Sequence, residues 1–262
     1  MSSETKIKRG VLPLYAVLTL LAVGAPWWGC RARNQEALTI SVAASLQDTI
    51  VEVESAYRRE NPNVVFHNNF GSSGTLAEEI EQGAPVDAFI SAGVKPVEQL
   101  DAEGLLQPGS RRDLLRNSLV LIAPKGSDLE SFGQLVEKQV RLIALGDPAS
   151  VPAGQYGKQT LESLHLYVQL KPKMVLGKDV RQVLTYVETG NADAGLVYAT
   201  DAQISRQVRI VAFAPEGSHS PILYPMAEIK GTHHDAAVHQ FTAFLKSATA
   251  RAIFEQHGFR MA

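Results

Sequence analysis

From residue 38 onward the chain repeats one pattern: a short apolar run, a polar turn, then a stretch whose apolar positions recur every three to four residues. Residues 38–43 (LTISVA) alternate apolar and polar side chains, as a half-buried strand does. In 45–59, Leu46, Ile50, Val53 and Tyr57 fall close to the helical repeat, so the spacing predicts a helix with one buried face. The pair recurs as strand 64–68 before helix 73–82, strand 87–90 before helix 96–103, and strand 141–145 before helix 152–166. Further on, 180–188 reads as a helix, 194–198 and 208–213 as strands, and 234–257 as two closing helices, with Gly190 and Gly258 as helix stops. Such alternation predicts an α/β fold.

Two further extended segments, 118–123 (SLVLIA) and 222–229, read as crossovers between two lobes. On that reading lobe 1 comprises 36–119 plus 222–262, lobe 2 comprises 120–221, and the split lobe creates a hinge.

Residues 1–29 stand apart from this grammar. Lys6, Lys8 and Arg9 precede an apolar run over 11–25, the order of an export signal. Pro13, Gly24 and Pro26 interrupt the run, which is barely long enough to span a bilayer; an uncleaved anchor is the runner-up. Cys30 is the single cysteine, so no disulfide forms within the chain. The Gly29-Cys30 pair resembles a lipoprotein cleavage site, although Trp27 and Trp28 stand where Leu and a small residue are usual. Lipidation of Cys30 is therefore one expectation and a free thiol beside a plain signal the other. Removing residues 1–29 takes away Lys6, Lys8, Arg9 and Glu4 and moves the formal charge from −2 to −4. An acidic balance argues against nucleic acid as partner and leaves local chemistry to decide what else binds.

That chemistry gathers where strands pass into helices. At 41–46 (SVAASL) an apolar strand ends and a helix begins near Ser45, whose hydroxyl suits either an N-cap or a donor to an anion at the helix start. At 70–76 (FGSSGTL) two glycines bracket Ser72 and Ser73, giving close backbone approach and hydroxyl donors. The chain holds no G-x-x-x-x-G-K-[ST], which makes nucleotide binding a poor reading. At 146–154 (GDPASVPAG), Pro152 fits a first helical position and leaves Ala153 and Gly154 with free N–H groups. Asp179-Val180-Arg181 opens another helix, and Tyr198 closes a strand at the end where open α/β sheets place ligands. Singly, each is more often a cap, a turn or a packing residue.

Together, five segments in order resemble the periplasmic molybdate-binding proteins: AASL at 43–46, FGSSGTLAEEIEQGAPVDAFISA at 70–92, NSLVLIAPKG at 117–126, GDPASVPAGQYGK at 146–158, and DVRQVLTYVETGNADAGLVYATDA at 179–202. The resemblance runs from about residue 38 to 259. It implies a two-lobed type II periplasmic-binding-protein fold, each lobe a mixed sheet flanked by helices, with molybdate or tungstate in the interlobe cleft. It carries the ligand contacts onto Ser45, Ser73, Ala153, Val180 and Tyr198. Ser45 and Ser73 would give hydroxyl and backbone donors, Ala153 and Val180 their N–H groups, and Tyr198 its phenol. It further implies binding without catalysis or cofactor, a monomer, an ABC transporter permease as partner, and a place in the periplasm or cell envelope, with membrane contact only through the N-terminal segment. Gly74 departs from the pattern, standing where another serine is common, and 92–100 (AGVKPVEQL) is less typical.

A donor-only site suits this ligand, because molybdate at neutral pH is a dianion whose oxygens only accept hydrogen bonds. Hydrogen bonds to a charged group contribute about 1.5–3 kcal/mol each, so five to seven can offset desolvation and leave roughly −12 kcal/mol, the nanomolar range. Phosphate carries a proton that asks for an acceptor, and sulfate differs chiefly in size; a receptor for one of these is the alternative. Three other classes compete with this one. A serine hydrolase would want a G-x-S-x-G elbow, which is missing, and a histidine inside the five segments. A metal receptor would use His233, His234, Asp235 and His239, of which Asp235 and His239 lie one helical turn apart. A cytoplasmic sensor of the same fold conflicts with the export signal.

Overall fold

The computed structural model describes residues 35–262; the proposed signal over 1–29 and Cys30 lie outside the described residues. In chain order the strands are β1 (Glu36–Ala43), β2 (Val64–Gly71), β3 (Ala88–Ile90), β4 (Arg112–Arg116), β5 (Leu119–Pro124), β6 (Ile143–Gly146), β7 (Met174–Gly177), β8 (Ala194–Tyr198), β9 (Val208–Phe213), β10 (Leu223–Glu228) and β11 (Arg260–Met261). The helices are α1 (Gln47–Glu60), α2 (Ser73–Glu81), α3 (Val94–Ala102), α4 (Pro152–Ser163), α5 (Tyr167–Leu170), α6 (Val180–Glu188), α7 (Ala199–Ile204), α8 (Asp235–Phe244) and α9 (Ala248–Gln256).

The strands form two mixed sheets, one ordered β11-β4-β10-β3-β1-β2 and the other β7-β6-β8-β5-β9. In the first, β1 runs parallel to β2 and β3, while β10 is antiparallel to β3 and β4. In the second, β6 runs parallel to β7 and β8, while β5 is antiparallel to β8 and β9. Parallel neighbours need a crossover helix, and these crossovers are the strand–helix pairs legible in the sequence. Leu38, Ile40 and Val42 of β1 pack with Ile50, Val53 and Tyr57 of α1 and Phe241 of α8. Each such fully buried side chain contributes about 2 kcal/mol. The second sheet is closed by Val183, Leu184 and Val187 of α6 and by Leu161 of α4.

Both expected crossover segments are strands inside the sheets. β5 lies between β8 and β9, and β10 between β3 and β4. Leu119 to Ala123 are buried throughout, because a strand with neighbours on both edges and helices over its faces needs apolar residues at every position. The chain instead changes sheet at Asn117-Ser118 and again between Phe213 and Leu223, so Leu119 belongs with the second sheet. Strands β4 (RDLLR), β7 (MVLG) and β11 (RM) were not expected from the sequence. Helix α3 begins at Val94 rather than 96, with Pro96 in the first turn where its missing N–H costs nothing. The segment 152–166 divides, α4 ending at Ser163 and His165 turning left-handed with φ of 60°. Gly190 and Gly258 follow their helices with φ of 72° and 83°, the left-handed stop that glycine adopts freely.

Candidate functional site

All five residues singled out in the sequence line one cavity between the two sheets. Each stands just beyond the carboxyl end of a parallel strand: Ser45 after β1, Ser73 after β2, Ala153 after β6, Val180 after β7, and Tyr198 at the end of β8. Because the strands of each set run the same way, the helices that follow all aim their N-terminal turns at the cavity. Unpaired N–H groups and the positive ends of the helix dipoles converge there.

The local hydrogen bonding decides which donors remain for the cavity. In α2 the Ser72 hydroxyl caps the helix by accepting from Thr75 N–H (3.3 Å), and the first helical bond runs from Leu76 N–H to Ser72 O (3.0 Å). Ser73 therefore lies ahead of the ladder. Its Oγ accepts the Ala92 N–H at 2.8 Å, which leaves its own proton to donate. In α4 the first bond is Gln155 N–H to Val151 O (3.0 Å), so the Ala153 N–H precedes it, and no side chain caps this helix. In α6 Asp179 is the cap, accepting Gln182 N–H at 2.8 Å; the Val180 N–H again lies ahead of the first ladder bond, Val183 N–H to Asp179 O.

Ser45 is not the N-cap its position suggested. It sits inside a single 3₁₀ turn, Ala44–Leu46, before α1 begins, and makes no side-chain cap bond. Its hydroxyl is instead 3.0 Å from the Tyr224 hydroxyl. Tyr198 also differs from the simplest expectation, since its phenol donates across the cleft to Ala92 O at 3.0 Å while bordering the cavity. Burial raises the Tyr198 and Tyr224 phenols well above the ordinary tyrosine value, so both remain O–H groups.

The cavity lining contains no Lys, Arg or His. One carboxylate, Asp179, does border it, with an oxygen turned back onto its own helix. The nearby cation, Arg181, serves another purpose. Its Nη1 is 2.8 Å from Asp48 on α1, its Nε 2.8 Å from the wholly buried Asp201 on α7, and its Nη2 donates to Ser45 O at 3.3 Å. One guanidinium thus ties the two lobes together beside the cavity. Burial pushes Asp201 up to about 7 even with Arg181 pulling it down.

The lobes meet again at Gly74, whose N–H donates to Ser150 O at 2.9 Å. A Cβ at 74 would lie 2.5 Å from that same oxygen. The glycine that departs from the serine expected there is what lets the two backbones touch. Asn117, Tyr224, Arg181 and Ala92 were missed as parts of the site because their partners lie far off in sequence; Ser45 and Tyr224 are 179 positions apart.

The histidines that suggested a metal receptor face separate carboxylates, His239 toward Glu228 (3.1 Å) and His234 toward Glu36 (3.8 Å). Among the described residues no three His, Cys, Asp or Glu side chains gather as metal ligands, and no helix is long and apolar enough to cross a membrane.

Two mixed-sheet lobes, closed over a small cavity ringed by helix starts and hydroxyls, define a solute receptor of the type II periplasmic-binding-protein fold. The chain belongs to the bacterial extracellular solute-binding protein family, whose model matches residues 38–260. It is 45% identical over 224 residues to YvgL of Bacillus subtilis, provisionally named an ABC transporter substrate-binding lipoprotein, covering 85% of each chain. It is 39% identical over 229 residues to the molybdate-binding protein ModA of Haemophilus influenzae, covering 85% of this chain and 89% of that one. The periplasmic molybdate-binding protein of Azotobacter vinelandii superposes with a TM-score of 0.78 at 26% identity, over 86% of this chain and 99% of that one.

Proposed function

We propose that this protein captures molybdate, and tungstate with it, outside the cytoplasm and hands it to the permease of an ABC transporter. The observation that carries the reading is the cavity itself, which joins Ser45, Ser73, Ala153, Val180 and Tyr198 in a lining without a lysine, arginine or histidine. Helix-start N–H groups and hydroxyls supply donors to a fully deprotonated tetrahedral dianion, and no fixed counter-charge is required. Asp179, the one carboxylate at the cavity, accepts the Gln182 N–H through Oδ1 as the cap of α6. The molybdate-binding names of the ModA relatives support the same choice of ligand.

Capture is reversible and no bond is made or broken. The oxyanion docks on the six-stranded lobe and the five-stranded lobe closes over it through Arg181, Gly74 and Tyr198, and the closed form is what a permease recognises. Residues 1–29 act as the export signal and Cys30 as a lipid anchor, in keeping with the lipoprotein name of YvgL. The receptor works as a monomer.

Calorimetry of the purified protein against molybdate, tungstate, sulfate and phosphate at one pH tests the ligand. Tight binding of molybdate and tungstate is expected; tight phosphate binding with no heat from molybdate overturns the reading. Mass spectrometry of the mature N-terminus tests the anchor, a diacylglyceryl mass on Cys30 being expected and an unmodified N-terminus elsewhere refuting it.

A further inference from the structure

We propose that Tyr224 and Asn117 are positioning residues, set one behind the other at the rear of the cavity, that fix Ser45 as a hydrogen-bond donor toward the bound oxyanion. The inference rests on the oxyanion reading of the cavity and concerns residues that do not line it.

The direction of each bond follows from what each group is able to donate. Asn117 stands where the chain passes from one sheet to the other. Its Oδ1 accepts the Ser118 N–H at 2.8 Å, and because a backbone N–H only donates, the amide has one orientation. Its Nδ2 then spends its two protons on Thr200 Oγ1 (2.9 Å) and Tyr224 Oη (3.2 Å). Tyr224 Oη, already accepting one proton, has its own proton left, and Ser45 Oγ lies 3.0 Å away to take it. The reverse arrangement, with Ser45 donating to Tyr224, would turn the fully buried phenol proton toward the hydroxyl of Tyr198, whose own proton goes to Ala92 O. With Tyr224 donating to Ser45, the Ser45 proton points away from Tyr224 and is available to the cavity that Ser45 lines with Ser73 and Val180.

Two consequences follow. A hydroxyl that accepts one hydrogen bond donates the next more strongly. Ser45 is also set as a donor before any ligand arrives, so an oxyanion with bare oxygens is met without rearrangement, whereas a ligand presenting its own O–H to Ser45 meets proton against proton. The amide of Asn117 reaches both lobes, donating to Thr200 on α7 as well as to Tyr224 on β10.

A double-mutant cycle with molybdate as the probe tests this, using Tyr224→Phe, Ser45→Ala and the double variant, with Kd from calorimetry, or from ligand-dependent thermal shifts where binding is weak. Y224F keeps the ring that packs against Tyr198 (5.6 Å between centroids) and Phe259 (5.5 Å). The expected result is about a tenfold loss of affinity in the Ser45 background and less than about twofold in the S45A background. A structural role for Tyr224 would lower the ligand-free melting temperature equally in both backgrounds and leave the losses additive. Equal losses in both backgrounds, or no loss in either, overturn the relay while leaving the oxyanion reading standing. If the unaltered protein binds none of molybdate, tungstate, sulfate and phosphate, the oxyanion reading falls and the relay with it.

Discussion

The two lobes face the same cavity with different chemistry. The six-stranded lobe brings side chains, the hydroxyls of Ser45 and Ser73, each held by a further hydrogen bond from behind. The five-stranded lobe brings mainly backbone, the N–H groups of Ala153 and Val180 at the starts of α4 and α6. A hydroxyl donor is specified by one residue and vanishes with it. A helix-start N–H is specified by where the helix begins, so nearly any residue supplies it. The alanine and valine at these positions are informative through their place in the fold and not through their side chains.

The contrast is open to direct attack. The largest effect should come from Ser73→Ala, which removes a donor to the ligand and also leaves the buried Ala92 N–H without its acceptor. About a hundredfold weaker molybdate binding is expected in calorimetry, together with a lower melting temperature of the ligand-free protein. Next is Val180→Pro, which deletes an N–H at the first position of a helix, where proline is best tolerated and where Asp179 before it is already extended, and which, like Val180→Ala, trims a buried side chain. Roughly 30-fold weaker binding with little change in stability is expected, whereas Val180→Ala, which keeps the N–H, should change Kd by less than about threefold. Equal effects of V180P and V180A would abolish the distinction between the lobes.

Smaller effects concern closure and stability. Asp48→Asn removes the half-exposed partner of Arg181 on the six-stranded lobe while Asp201 keeps its own contact. A surface pair contributes about 0.5 kcal/mol, so Kd should rise about twofold at low ionic strength, and the difference should disappear in high salt. Glu54 provides a control on the stability of the hydroxyl lobe away from the cavity. It is buried on α1, bonded through one oxygen to Asn68 (2.9 Å), and burial raises its pKa from 4.5 to about 7. A raised carboxyl pKa stabilises the fold fully below the unfolded value, and that contribution is lost as pH climbs through about 7. Urea denaturation of Glu54→Gln should show a flatter decline over this window and a gain of about 2 kcal/mol above it, with no change in Kd. The residual slope belongs to Asp201, which shifts in the same direction.

Much of this was legible along the chain. The alternation of strand and helix gave the α/β class, and the donor-rich turns at 43–46, 70–76, 146–154 and 179–181 marked the strand ends that border the cavity. The limits were physical. Residues 118–123 and 222–229 were read as connections because a continuous apolar run carries no period, and only the neighbours on both edges reveal β5 and β10 as interior strands. The place of Ser45 before a helix suits a cap and an anion donor alike, and only the 3₁₀ turn, which carries its hydroxyl to Tyr224, separates the two.

The donors themselves follow from sequence, since a glycine, a serine or a proline at a strand–helix junction fixes local backbone freedom and hydrogen-bonding capacity over a few residues. Tertiary structure alone decided which way the protons point and how the lobes meet. The Ser45–Tyr224–Asn117 chain, the Arg181 bridge to Asp48, and the contact of Gly74 with Ser150 each join residues more than 70 positions apart. Hydrogen bonds and charges act over a few ångströms in space, and distance along the chain says nothing about them until the fold brings the two lobes together.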